Sequence, residues 1–194
     1  LRGLVGSEMC IRDRIMAYAS TKVKAISTIL SSEMQALGGD IRAVIITDFE
    51  KTSATTLVEG VMDDEAGGAV AAFRQAVQCD NVDLLNPILM TGSTVLVDDD
   101  LAEEFLAAAN NWIEERSLAI TLVDEIRGDY HEIVGKGKDW IPRYYSLMIT
   151  EFFQLGITKC LIGTRGLLGE GWDASRINVP VSYTHLTLPT NVAV

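Results

Sequence analysis

Two short runs constrain this chain more than anything else in it. They are Arg42-Ala43-Val44-Ile45-Ile46-Thr47-Asp48 and Lys159-Cys160-Leu161-Ile162-Gly163. Neither alternates between apolar and polar residues, so neither reads as a strand with one wet face. A strand that is apolar on both sides needs cover on both sides, as in a parallel sheet flanked by helices. The polar end of the first run, Thr47-Asp48, then lies at the carboxyl edge of the sheet, where such sheets place their ligands.

Helical patterns alternate with these runs. Ser20-Thr21 precede Lys22, and Val23, Ile26, Leu30, Met34 and Leu37 follow at helical spacing until Gly38-Gly39 closes the pattern. Ala66–Val77 predicts a helix with Val70, Phe73 and Val77 on one face. Asn86–Val97 is strand-like, with an interruption at Thr91-Gly92-Ser93. Asp98–Asp100 cap a helix over Leu101–Glu115 that turns Leu101, Phe105, Ala108 and Trp112 inward. Ser117–Val123 reads either as a strand or as the tail of that helix, Tyr130–Val134 as a weak strand, and Gly135-Lys136-Gly137-Lys138 as a loop. Pro142 suits the first turn of a helix that runs to Leu155 and stops at Gly156. Asn178-Val179 begin one more strand. Strands alternating with helices predict a single α/β layered domain with a largely parallel sheet.

Composition narrows the class. Hydrophobic residues make up 48% of the 194, enough for a sizeable core, which excludes a disordered or collagenous chain. No apolar run approaches the roughly 20 residues that a membrane helix needs, so no membrane association is expected. Three widely spaced cysteines make neither a disulfide framework nor a zinc ribbon, and imply a reducing, cytoplasmic setting. The net charge of −11 argues against coating nucleic acid through bulk charge and leaves room only for a local groove.

The two ends are related in an unusual way. Glu8-Met9-Cys10-Ile11-Arg12-Asp13 can be written GAG ATG TGT ATA AGA GAC. The reverse complement of that DNA translates as Val-Ser-Tyr-Thr-His-Leu, which is Val181–Leu186. A match across opposite strands is not something protein-level selection produces. The DNA resembles a transposase adaptor used in sequencing libraries. Residues 1–14 and 181–194 are therefore expected to be translated adaptor, and 15–180 a native segment of a longer protein. Without Arg2, Arg12, Arg14, Glu8 and Asp13 that segment keeps 13 basic and 25 acidic residues, so its acidity is not an artefact of the ends. Two cysteines and one histidine remain in it.

The stretch richest in chemistry is Cys160-Leu161-Ile162-Gly163-Thr164-Arg165-Gly166-Leu167-Leu168-Gly169-Glu170-Gly171-Trp172-Asp173. A buried strand runs into a segment with four glycines, a threonine, an arginine and two carboxylates. Glycine lets a backbone approach a phosphate and present its N–H groups.

The string Ile162–Asp173 resembles motif V of superfamily 2 helicases, and its ending Glu-Gly-Trp-Asp is similar to that of type III restriction-enzyme helicase subunits. Arg42–Asp48 with Phe49 resembles motif IV, and Ser20-Thr21-Lys22-Val23 resembles the opening of the second RecA-like domain of these proteins. The helix ending Glu151-Phe152-Phe153-Gln154-Leu155-Gly156 also fits. The resemblance spans nearly all of 15–180, with motif V its specific part and Asn86–Ile133 placed by no motif. It implies a RecA-like three-layer α/β fold. It further implies that Thr164 and the backbone of Arg165 and Gly166 touch the phosphates of one DNA strand, with RNA as the alternative, and that Thr47 and Asp48 border the groove. Arg165 would add a charge-assisted contact. Gly171 and Asp173 would face the ATP cleft, with Asp173 near the ribose or a coupling water, and Glu170 would link the two sites.

Other parts of the family's machinery are not in this sequence. It has no GxxxxGK[ST] phosphate loop, no acidic Mg²⁺ box, and no arginine-finger motif after Val179. ATP and Mg²⁺ would thus be held mainly by an N-terminal RecA-like domain of the same parent chain, and this chain alone is expected not to hydrolyse ATP. The alternative reading is a non-catalytic RecA-like module for regulation or protein interaction.

The remaining candidates read more simply. Leu118–Val123 with Asp124-Glu125 imitates a Walker B strand, but without a phosphate loop it is expected to be a surface acidic pair. Gly135–Lys138 reads as an exposed turn, with phosphate contact as its alternative. His131 has no His or Cys partner at ligand spacing, so no metal is expected. Cys79 and Cys160 read as small core residues, and Trp112 and Trp140 as packing residues.

Overall fold

The computed structural model describes residues 25–48, 68–80, 82–169 and 172–183. The first helix, α1, is described over 25–37. It buries Ile26, Leu30 and Met34, the stripe that its spacing predicts. A 3-10 turn, Gly38–Asp40, leads into β1, Ala43–Thr47. After α2, Ala69–Val77, come β2, Ile88–Met90, and β3, Val95–Asp98. A 3-10 turn, Asp99–Leu101, opens α3, Ala102–Glu115, which is followed by β4, Thr121–Ile126, and β5, Tyr130–Lys136. The chain continues through α4, Pro142–Leu155, β6, Cys160–Thr164, the short α5, Arg165–Leu168, and β7, Val179–Tyr183.

The seven strands form one mixed sheet in the order β4-β5-β3-β2-β6-β1-β7. Its centre is parallel, as expected: β2 pairs with β6, β6 with β1, and β1 with β7. The segment that no motif placed supplies the other half. There β3 pairs antiparallel with β2, β5 with β3, and β4 with β5. The Thr91-Gly92-Ser93 interruption is the hairpin turn between β2 and β3. The 117–123 ambiguity resolves as a strand that begins at Thr121.

Each central strand faces two cores, which is why its sequence does not alternate. Val44, Ile88, Met90, Val95, Val97 and Leu161 pack under α3 and α4. Ala43, Ile45, Leu89, Leu96, Cys160 and Ile162 pack under α1 and α2. The result is a three-layer α/β domain. On the first face α3 buries Phe105, Ala109, Trp112 and Ile113; Ala109 takes the inward place expected of Ala108, which is half-buried. Phe105 meets Phe152 of α4 edge-on at 5.6 Å. Nearby, Trp112 Nε1 donates to Glu151 Oε2 at 2.7 Å while the Arg116 guanidinium stacks 4.1 Å from the Trp112 ring centre and also binds Glu151.

α4 begins and ends where its sequence places it. Pro142 occupies the first turn, and Gly156 closes the helix at φ 89°, in the left-handed region that glycine adopts at no steric cost, with its N–H on the Phe152 carbonyl. Three other expectations shift. The helix expected from Ala66 is described from Ala69. Gly135 and Lys136 belong to β5 rather than to a loop. The expected boundary at 180/181 falls inside β7, whose Val181 is half-buried beside Val179 and the α1–α2 core. Strand pairing uses backbone groups, and Val, Ser and Tyr do not oppose it, so the sheet does not register that boundary.

Candidate functional site

The carboxyl ends of the parallel strands bring the expected residues together. Thr47 at the end of β1 is the register partner of Thr164 at the end of β6. Thr47 is 1% exposed, and its hydroxyl donates to the Gly163 carbonyl at 3.4 Å. Asp48 is half-buried just beyond it. Thr164 sits at the N-cap of α5 with its backbone extended, and Arg165 and Gly166 follow, both exposed. The glycine-rich segment is therefore not all loop: its first turn is helical.

That turn is rooted from below. Leu168 is buried in the α3–α4 core and lies against Gly163. A Cβ built on Gly163 would come within 2.6 Å of Leu168 and 2.9 Å of the Met90 carbonyl. The motif's glycine in the strand thus makes room for its own downstream leucine. Trp172 roots the other end: its Nε1 donates to Thr150 Oγ1 of α4 at 2.9 Å, and Thr150 in turn donates to the Ser146 carbonyl at 2.6 Å. Asp173 follows and is exposed, while Ala174 is buried. Glu170 and Gly171, expected at the ATP cleft, lie outside the described residues. The structure therefore groups Thr47, Asp48, Thr164, Arg165 and Gly166 at one edge; Asp173 lies on the returning limb of the loop.

Replacing Trp172 with phenylalanine should lower stability by only about 1 kcal/mol, because Thr150 keeps its bond to Ser146 and no buried polar group is stranded. The midpoint of urea unfolding checks this; a loss several times larger would mean that the indole does more than tie the loop to α4.

One part of this edge escaped the sequence reading. Met90 of β2 is level with Gly163, so Thr91 follows onto the same edge beside Thr164. Thr91 is buried, and its Oγ1 accepts from the backbone of Ser93 and Thr94. Tyr145 of α4 donates to its carbonyl at 2.6 Å. The available signal was the Thr-Gly-Ser interruption itself, legible as a turn at the ligand edge once β2 is known to run parallel to β6.

The other candidates fall elsewhere. A Cβ on Gly135 would overlap the Trp140 ring, and Gly137, at φ 128°, passes tightly against the Ala119 carbonyl, so these glycines serve packing. Asp124 and Glu125 are exposed, as expected of a surface acidic pair, and Asp124 Oδ1 is 2.7 Å from His131 Nδ1. Asp98, at the opposite edge from Thr164, is 2% exposed, and its Oδ2 has no hydrogen-bond partner among the described residues. Burial, then the neighbouring Asp100, Asp83 and Asp99, push its carboxyl up to about 6, against a smaller opposing effect of the Asp100 backbone N–H. Burial pushes the Cys79 thiol up to about 11 and the Cys160 thiol up as well, so neither is a thiolate nucleophile. Among the described residues no group of three His, Cys, Asp or Glu side chains could hold a metal ion, and no helix is long and apolar enough to cross a membrane. No protein family, curated protein or solved structure matches the chain.

Proposed function

We propose that this chain supplies the second RecA-like domain of an ATP-dependent superfamily 2 helicase or translocase acting on DNA, similar to type III restriction-enzyme helicase subunits. The observation that supports it most is the register pairing Thr47 with Thr164, with Arg165 and Gly166 exposed immediately beyond. This is the edge at which open α/β sheets hold ligands. In this reading Thr164 and the backbone at Arg165–Gly166 hold phosphates of one strand, and the Arg165 guanidinium adds a charge-assisted bond.

The returning limb faces the nucleotide. Asp173 is an exposed carboxylate and fits a ribose hydroxyl, which it would accept as a hydrogen-bond donor. In this reading Glu170 and Gly171, which lie outside the described residues, share that role. ATP and Mg²⁺ would be held mainly by the first RecA-like domain, since no phosphate loop is present in this sequence, and hydrolysis of ATP there would supply the free energy of stepping. What the chain itself contributes is a loop pinned at Leu168 and Trp172, so that displacement on its nucleotide side moves its strand side.

The net charge of −11 leaves room only for a local nucleic-acid contact, and in this reading that contact is the loop. Arg165→Ala should therefore weaken binding of a labelled single-stranded oligonucleotide, measured by anisotropy across a salt series. It should also flatten the slope of log K against log salt by about 0.7 for the one lost phosphate contact. An unchanged slope and affinity would remove Arg165 from the interface.

The same acidity favours the second reading, a non-catalytic RecA-like module for regulation or protein interaction. The intact gene separates them. A phosphate loop and acidic box upstream, with a QxxGRxxR-like motif downstream, support the helicase; an intact frame without them selects the module.

A further inference from the structure

The corner where β3 passes into α3 carries charges that the proposed function does not use. His131 of β5 is 8% exposed. Its Nδ1 lies 2.7 Å from Asp124 Oδ1 on β4, and its Nε2 lies 2.7 Å from Asp99 Oδ1 in the turn before α3. Counting donors decides the state of the ring. A neutral imidazole has one N–H and one lone pair, and would point the lone pair at a carboxylate oxygen; only the imidazolium donates to both. With both nitrogens engaged, none is left to exchange a proton with a ligand, so the arrangement does not suit acid–base catalysis.

Its position suits mechanical work instead. Among the described residues β4 is the outermost strand on this side and pairs only with β5. Asp124 and Asp99 stand on separate elements, so the ring ties the outer hairpin to the turn that starts α3. We propose that the Asp99–His131–Asp124 bridge is a pH-operated latch on the β4–β5 hairpin, closed while the ring is protonated and released when it is not.

The electrostatics agree in sign. Burial alone would lower the proton affinity of His131, but the hydrogen bonds to Asp99 and Asp124, and then their charges, outweigh it and raise the ring above its ordinary value of 6.5. A group whose value is raised by folding contributes fully below its unfolded value and loses that contribution as pH climbs through the folded one. The latch is therefore complete below pH 6.5 and opens on the alkaline side. Other charges around it are placed differently. Arg127 pairs with both Glu125 and Glu132, and these two carboxylates alternate with Asp124 and His131 onto the hairpin's other face. Glu103 and Glu104 of α3 are exposed. Asp98, pushed up to about 6 chiefly by burial, also titrates in this range, and the exposed Asp100 beside it is raised by its hydrogen bond to Asp83.

The test uses the intact chain, whose histidines are His131 and His185. Nitrogen-15 NMR of the imidazoles, assigned with His131→Gln, follows the ring from pH 5.5 to 9. Hydrogen exchange of the β4 amides is compared at pH 6 and 8.5 after correction for intrinsic rates. The latch predicts that His131 keeps both protons above pH 6.5 and that β4 opens about threefold or more readily at the higher pH. It also predicts that Asp124→Asn abolishes this difference. Titration of His131 at or below 6.5, or equal β4 protection at both pH values, overturns the proposal. So does a pH response that persists in Asp124→Asn, which would belong to Asp98. If that variant fails to fold, the wild-type titration and exchange decide.

Discussion

Gly163→Val should destabilise the protein by about 3 kcal/mol, the upper end of what overpacking a core costs. The reason lies in what surrounds the added atoms. A Cβ at Gly163 meets Leu168 on one side and the Met90 carbonyl of the neighbouring strand on the other. Leu168 has rotamers to try, but the carbonyl belongs to the β2–β6 ladder and cannot move without breaking it. Valine adds two further methyls to the same space. Guanidinium unfolding of the variant and of Gly163→Ala, which should fall between valine and the native protein, measures the series. Valine at the native midpoint would show that β6 and Leu168 do not sit as described. Gly166 is the internal control. No atom lies within 4 Å of the place where its Cβ would go, so Gly166→Ala should leave stability unchanged or slightly raised. Loss of oligonucleotide binding in Gly166→Ala alone would then report a close backbone approach rather than a folding defect.

Phe105→Ala should cost about 3–5 kcal/mol, the range expected when a fully buried aromatic ring is truncated in a core. Phe105 is completely buried and stands edge-on to Phe152, so the substitution leaves a cavity and also removes an aromatic pair worth about 1 kcal/mol. The cavity cannot close easily, because α3 and α4 are also held apart at a set distance by Trp112, Arg116 and Glu151. Unfolding followed by tryptophan fluorescence, to which Trp112 contributes alongside Trp140 and Trp172, measures the loss. A loss under about 1.5 kcal/mol would mean that α3 collapses onto the sheet and that the Glu151 bridge does not hold the spacing.

How much was legible in the sequence depends on how local each signal is. The two unalternating runs became β1 and β6, each with a core on both faces, because burial on both sides leaves no polar position to reveal a period. Pro142 and Gly156 bounded α4 because proline and glycine act through their own backbone. The candidate residues on β1 and β6 came together because parallel neighbours share a carboxyl edge. Less local features were hidden. The 121–123 part of the ambiguous stretch joined the sheet because β5 offered it a partner, and its partly exposed residues carry little pattern of their own. Lys136 was pulled into β5 by pairing with Thr121. Thr91 reached the ligand edge through the register of β2 on β6. His131, which has no His or Cys at ligand spacing, found carboxylate partners in Asp99 and Asp124 at separations of 32 and 7 residues.

By itself, then, the sequence determined the alternation of buried strands and helices, the places where the helices stop, and a polar glycine-rich turn at the end of a buried strand. All of these follow from the chemistry of neighbouring residues. Only the tertiary structure decided which strands lie side by side, that Gly163 must stay bare beneath Leu168, and that one imidazole joins two carboxylates across the outer hairpin. Those depend on contacts between distant parts of the chain, whose free energy appears only when the layers close on one another.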